Sequence, residues 1–193
     1  MENMEKIESL FVNQNEYKII RLLGHGKGGY SYLAEKADSS GAEKVVLKQI
    51  HHEPCSYYTF GNKIESEQKD YKRLCEAGIR IPKMLDIDLE NERIVKEFID
   101  GETIFDLVKN DGMKEEYLSQ VRQMAEKAKE AGLNIDYFPT NFVVQKNADS
   151  GTEEIFYIDY ECNDYMEEWN FENWGIKYWS KTSEFLDYLS KSN

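Results

Sequence analysis

Asn134-Ile135-Asp136-Tyr137-Phe138-Pro139-Thr140-Asn141-Phe142-Val143-Val144 is the stretch from which the rest of the chain is read. Asp136 and Asn141 stand five positions apart with a proline between them, and the run closes in a short apolar strand pattern. Transfer of a phosphoryl group needs a carboxylate that orients the attacking hydroxyl and accepts its proton, together with hard oxygen ligands for Mg2+. A carboxylate and a carboxamide at this spacing suit those tasks. A further acidic position follows in Tyr157-Ile158-Asp159-Tyr160-Glu161, where Asp159 ends an apolar run at a point suited to a second metal ligand.

Around this stretch the chain reads as helical on the upstream side. Residues 114–131 carry Leu118, Val121, Ala125 and Ala128 at three- and four-residue spacing, and Gly132 stops the helix. Downstream, 142–146 and 154–161 bracket the polar turn 147–153 and predict a hairpin; the tail 170–189 is aromatic and reads as helical. Farther upstream the pattern changes. Residues 17–24, 29–36 and 44–50 are β-rich runs with tight connections, the last through a polar turn at 37–43, which predicts an antiparallel meander. Residues 62–77 read as a helix with Ile64, Tyr71, Leu74 and Cys75 near one face and Gly78 as its C-cap. Residues 83–89 and 93–99 then form a hairpin around Glu90-Asn91-Glu92. The expectation is an α+β chain: a five-stranded antiparallel sheet with one helix over 1–99, a narrow junction near residue 100, and a mostly helical half over 100–193. Two lobes with a crevice between them follow from that plan.

Gly24-His25-Gly26-Lys27-Gly28-Gly29 satisfies G-x-G-x-x-G. Glycine lets a backbone approach phosphate oxygens and present N–H groups without a Cβ in the way. A dinucleotide site would need a helix directly after the loop, whereas here a strand, a turn and another strand follow. A flap over phosphates fits that strand–loop–strand context, and a ligand-free hairpin turn is the plain alternative. Lys48 lies inside the apolar run Val45-Val46-Leu47-Lys48-Gln49-Ile50, sharing a face with Val46 while Val45 and Leu47 share the other. It would offer a point charge to phosphates if a helix carboxylate held it. Glu65 and Glu67 compete for that role: four and seven positions on, Glu67 has Tyr71 and Leu74 where Glu65 has Lys69 and Lys72, and a solvated acidic helix face is the plain alternative.

These motifs resemble the protein-kinase-like family. The glycine loop, the strand lysine, the helix glutamate, a hinge-like Val95-Lys96-Glu97-Phe98-Ile99, D-x-x-x-x-N and an apolar-apolar-Asp element occur in the family's order from about Tyr17 to Glu161. The resemblance implies a two-lobed fold in which Gly24, Gly26, Gly29 and Lys48 contact the phosphates of ATP and Glu67 pairs with Lys48. It further implies that the backbone of Glu97 to Ile99 receives adenine, that Asp136 is the catalytic base, and that Asn141 and Asp159 hold Mg2+. Departures are specific. Asn134-Ile135 stands where the family has His-Arg, Phe138 where Ser/Thr protein kinases carry lysine, and Asp159-Tyr160-Glu161 where they carry Asp-Phe-Gly. The last element is closer to choline kinases and aminoglycoside phosphotransferases. Lys96, lining the back of the adenine pocket by that analogy, is unusual. No Ala-Pro-Glu follows, and residues 160–193 are too few for a full peptide-docking lobe, so a reduced one, as economical as in RIO-type kinases, is expected.

Composition narrows the partners. A net charge of −13 over 193 residues repels nucleic-acid backbones and anionic lipid, so neither is an expected partner. It also requires that a few cations and a metal be focused wherever ATP binds. The 13 Tyr, 9 Phe and 3 Trp supply large buried area, and Trp169, Trp174 and Trp179 read as core rather than a base-stacking platform. Cys55, Cys75 and Cys162 are scattered, with no C-x-x-C pair; no apolar run approaches the ~18 residues of a membrane span, and the acidic start has no signal-peptide pattern. A cytoplasmic setting is expected. His25, His51 and His52 do not suggest a nucleophilic triad, and His51-His52 reads as loop. Asp164, Glu167 and Glu168 read as a solvated acidic face without EF-hand spacing, whereas Glu161 could hold or relay a metal-bound water. The expected activity is transfer of the ATP γ-phosphate to a hydroxyl on a protein Ser/Thr or a small molecule; the alternative is a pseudokinase that binds without turnover.

Overall fold

A computed structural model describes residues 7–37, 43–54 and 61–191. The polar turn expected at 37–43 falls almost wholly outside the described residues, as does Cys55. The chain divides into two compact units. One takes residues up to Gln68 together with Lys83–Phe98; the other takes Lys69–Pro82 and Ile99 onward.

The first unit is built on one antiparallel sheet of six strands in the order β1-β2-β3-β4-β6-β5. Its members are β1 (Ser9–Val12), β2 (Asn15–Gly26), β3 (Gly29–Lys36), β4 (Lys44–Ile50), β5 (Met84–Asp88) and β6 (Arg93–Glu97). The five expected strands are all present. The sixth, β1, pairs Ser9–Val12 with β2 through a turn in which Asn13 takes φ 52°. Its four residues are too short and too mixed to stand out as a strand pattern. The two-residue side-chain period sorts the sheet's faces. Tyr32 and Ala34, Val45 and Leu47, and Val95 share one buried face with Val12 and Tyr17. Val46 and Lys48 look the other way, opposite Lys96 and Ile94 of β6, so both lysines stand on one face of the sheet.

Helix α1 (Lys63–Glu76) opens with Asn62, whose side-chain oxygen accepts the Glu65 N–H at 3.2 Å. Its residues fall in both units. Ile64 and Leu74 are buried with Glu67 and Tyr71 on the same face, while Glu65 and Cys75 point outward and are exposed. The face expected from spacing is therefore right except at Cys75.

In the second unit, α3 (Glu115–Glu130) buries Tyr117, Val121, Met124 and Ala128, with Leu118 and Ala125 half-buried beside them. Gly132, at φ +71°, turns the chain after it. The core also takes Ile104, Leu107 and Val108 from and around α2 (Ile104–Lys109), and Phe142, Ile155, Tyr157 and Trp179 from elsewhere in the unit. This half carries more strand than periodicity shows. β7 (Gly101–Thr103), β9 (Phe142–Lys146) and β10 (Glu153–Tyr157) form a sheet in the order β10-β9-β7, while β8 (Leu133–Ile135) pairs with β11 (Cys162–Asp164). Three-residue strands leave no period to detect. The expected strand over 154–161 ends at Tyr157, and the remaining residues turn away. The tail is not one helix: short 3-10 turns at Glu167–Trp169 and Gly175–Tyr178 precede α4 (Ser183–Lys191). Trp179 is 1% exposed and donates its indole N–H to Tyr137 O at 2.8 Å, whereas Trp169 is 51% exposed and rests against Trp174. Among the described residues, Cys75 and Cys162 are both thiols, and no helix is long and apolar enough to cross a membrane.

Candidate functional site

The glycine motif is a hairpin tip: β2 ends at Gly26, β3 begins at Gly29, and Lys27-Gly28 is the whole connection. Gly24 and Gly26 lie on the exposed end of β2, and a Cβ on either would meet nothing within 4 Å. The space beside them is therefore unfilled by the protein's described residues. Gly29 is required by the fold instead: a Cβ there would stand 2.3 Å from Gln49 O in β4. Gly28, which the motif counts as a free position, faces the lysine. Its Cβ would come within 3.2 Å of Lys48 Nζ and 3.6 Å of Glu67 Oε1.

Lys48 and Glu67 form an ion pair through Nζ and Oε1, with side chains only 11% and 13% exposed. Glu65, by contrast, lies on the exposed face of α1. Glu67 Oε2 is buried with no hydrogen-bond partner among the described residues, an unusual state for a carboxylate oxygen and one that suits a bound donor. Lys63, 6% exposed at the start of α1, donates to Lys27 O at 3.0 Å and to His51 O at 2.5 Å, tying the hairpin tip to the end of β4. Sequence reading had no means to find Lys63, since its partners are backbone carbonyls. Glu97 closes β6, and its N–H is already engaged by Lys83 O at 2.9 Å, so a nucleobase there would use other backbone groups. Ile99, 5% exposed, begins the second unit's chain after Phe98.

In the second unit Asp136 directly follows β8. Its Oδ1 accepts the Phe138 N–H at 3.0 Å, and its backbone carbonyl accepts from Asn141 Nδ2 at 3.4 Å. Pro139 starts the 3-10 turn Pro139–Asn141 that brings the two side chains together. With its amide nitrogen turned to Asp136, Asn141 presents its Oδ1 as a hard acceptor. Ile158 N–H donates to Asn141 O at 2.9 Å, which sets Asp159 beside this turn; Asp159 Oδ1 accepts the Tyr160 N–H at 2.8 Å. Loss of hydration by the surrounding protein raises the pKa of Asp136, although the residue itself remains exposed. The charges of Glu161 and Asp159 push it in the same direction, against the hydrogen bonds from Phe138 and Asn141. Asp159 and Glu161 are near enough to act on the Asp136 carboxyl, and Asn141 shares its turn; carboxylate and carboxamide oxygens are the donor types that Mg2+ takes.

Tyr157, fully buried at the end of β10, holds this loop. Its hydroxyl donates to Glu161 O at 2.8 Å and receives the Asp136 N–H at 3.4 Å. An apolar strand pattern gives no hint of that function for a tyrosine hydroxyl. On the other side of the loop Phe138 packs against Tyr188 and Tyr178, with ring centroids 4.7 and 5.2 Å apart.

No family model matches the chain. A serine/threonine-protein kinase, PknA of Nostoc sp. strain PCC 7120, is 27% identical over 107 residues, covering 53% of this chain and 19% of that protein. The crystal structure of the BubR1 kinase domain superimposes with a TM-score of 0.57 at 18% identity, covering 83% of this chain and 52% of that one. The chain thus spans about a fifth of the curated relative and about half of the solved domain. The likeness in structure establishes the fold.

Proposed function

We propose that this chain, which carries the protein-kinase-like fold, is an ATP-dependent phosphotransferase moving the γ-phosphoryl group of Mg-ATP to a hydroxyl acceptor. The observation that carries the reading is the loop in which Pro139–Asn141 joins Asp136 to Asn141 while Ile158 N–H draws Asp159 to the same turn. Asp136 orients the acceptor hydroxyl and takes its proton as the bond to phosphorus forms; its raised pKa makes it a better base than an ordinary aspartate. Lys48, held by Glu67, sets a positive charge against the phosphates, and Gly24 and Gly26, with no side chain in the way, let the hairpin approach them. Asn141 and Asp159 are the residues that would hold Mg2+, whose charge would offset that of the phosphates in a chain of net charge −13. The acceptor is a protein Ser/Thr or a small molecule. Phe138, packed among tyrosines where protein kinases carry a lysine, supports the small molecule.

The test is a thermal unfolding series with ATP, Mg2+ and both, on the native chain and Asp159→Asn. ATP with Mg2+ at about a hundred times Kd adds ~2.7 kcal/mol, a rise of roughly 5–10 °C. A metal-dependent rise lost in the variant supports the site. Absence of any rise overturns it. A rise without transfer to sugar, amino-alcohol or peptide hydroxyls assigns the chain as a nucleotide-binding module, the pseudokinase alternative.

A further inference from the structure

Near the hairpin tip the first unit gathers three side chains of metal-ligating type that the proposed phosphoryl transfer does not use. His25 Nε2 lies 3.2 Å from His51 Nε2 and 3.4 Å from Glu53 Oε2, and the three ligand atoms all fall within 4.8 Å of one another. A tetrahedral zinc ion with bonds of about 2.0–2.1 Å spaces its ligands about 3.3–3.4 Å apart. These two separations are therefore already close to the edge of such a tetrahedron.

The ligands are also positioned by their neighbours. The Tyr30 ring stacks on His25 with centroids 4.2 Å apart and planes 5° from parallel. Its hydroxyl donates to Glu53 Oε1 at 2.6 Å, which leaves Oε2 toward His25 and, as the largest cause, keeps the Glu53 carboxyl below its ordinary range. One tyrosine thus orients two of the three ligands, as outer-shell groups do around metals. His51 Nδ1 accepts the Glu53 N–H at 3.2 Å, so its Nε2 carries the proton and bonds Gly26 O at 2.9 Å. Loading a metal on Nε2 moves that proton to Nδ1, and the exposed Glu53 amide turns to water.

We propose that His25 Nε2, His51 Nε2 and Glu53 Oε2 bind one divalent transition ion of the zinc type, with water in the fourth position. Two imidazoles and one carboxylate favour Zn2+ or Co2+ over Mg2+, which prefers oxygen. The ion cross-links the end of β2 to the segment after β4, the same two stretches that Lys63 joins through Lys27 O and His51 O. It therefore restrains the glycine hairpin. The site is independent of the phosphotransfer reading.

The experiment titrates the full metal-stripped chain with Co2+ in excess Mg2+, which occupies oxygen sites, and then displaces Co2+ with Zn2+. One Co2+ per chain with the visible absorption of four-coordinate cobalt is expected, as is a Tm rise of roughly 5–10 °C at about a hundred times Kd. His25→Ala removes the absorption. Tyr30→Phe weakens binding about 10–100-fold. His52→Ala, whose native side chain pairs with Glu92 instead, leaves binding unchanged. The Tm of each variant without metal reports whether it folds. A six-coordinate spectrum, no binding, or unchanged binding in folded His25→Ala overturns the proposal and leaves the three side chains as a surface hydrogen-bond cluster.

Discussion

Lys48 pairs with Glu67 immediately beside Gly28, where an added Cβ would stand 3.2 Å from the ammonium nitrogen and 3.6 Å from the carboxylate oxygen. Strand, helix and hairpin tip thus meet on one charge pair. Each can be perturbed separately.

Removing one partner of this pair leaves a nearly buried charge alone. Lys48→Met is expected to cost about 3–5 kcal/mol, and the double change Lys48→Met with Glu67→Leu less than the single one. Urea unfolding of both singles and the double gives the coupling. A double variant less stable than either single would contradict this account.

The two glycines of the tip separate function from fold. Gly28→Ala pushes against the flexible end of Lys48, so nucleotide affinity should fall while Tm changes little. Gly29→Ala puts a methyl group 2.3 Å from the Gln49 carbonyl, and the strands must part. Its Tm should drop by several degrees before any ligand is added. Calorimetry on both variants distinguishes the two effects.

Asp136 should trade stability for chemistry. Its folded pKa lies above the unfolded one, so ionisation destabilises the fold as pH rises through that interval, and the penalty is complete above the folded pKa. Asp136→Asn retains an oxygen for the Phe138 N–H and should raise Tm at pH 7. The gain should vanish below about pH 4, where the native side chain is itself protonated. On the proposed phosphotransferase reading, the same change should lower transfer by about 10²–10⁴-fold.

Asp88 works in the opposite sense. Hydrogen bonds from Asn91, backbone first, and from the Asn13 N–H hold its carboxyl at about 2. Because the folded pKa is depressed, its contribution is present above about pH 4 and is lost as pH falls toward 2. Acid unfolding of Asp88→Asn should lack that part of the native curve.

Tyr157→Phe removes the hydroxyl that joins the Asp136 N–H to Glu161 O. Leaving those groups without it should cost about 1–3 kcal/mol. The loop it holds should loosen, lowering kcat more than it raises KM. An unchanged kcat with reduced stability would confine Tyr157 to the core.

Much of this was legible along the chain. Apolar alternation in 29–36 and 44–50 defined the meander and placed Lys48 on the face away from Leu47, because side-chain direction in a strand follows from position alone. Tyr71 and Leu74, four and seven positions after Glu67, matched the pattern that the family resemblance implies for the lysine's partner, whereas Lys69 and Lys72 follow Glu65. Asp136, Asn141 and Asp159 stood out because carboxylates and an amide flank short apolar strands at fixed intervals. These are local relations, carried by backbone periodicity.

What remained hidden depends on groups far apart in sequence. Ser9–Val12 becomes a strand only because β2 offers it an edge, and Gly101–Thr103 only beside β9. Lys63 matters through two carbonyls, Tyr157 through a hydroxyl bridging residues on either side of a turn, and His25 through residues 26 and 28 positions later. No period encodes such meetings, since hydrogen bonding and ligand geometry depend on distance in space. The sequence by itself determined the order of the longer strands and helices and supplied carboxylates, a carboxamide and a lysine of the types that phosphate and metal chemistry needs; tertiary packing decided which of them touch.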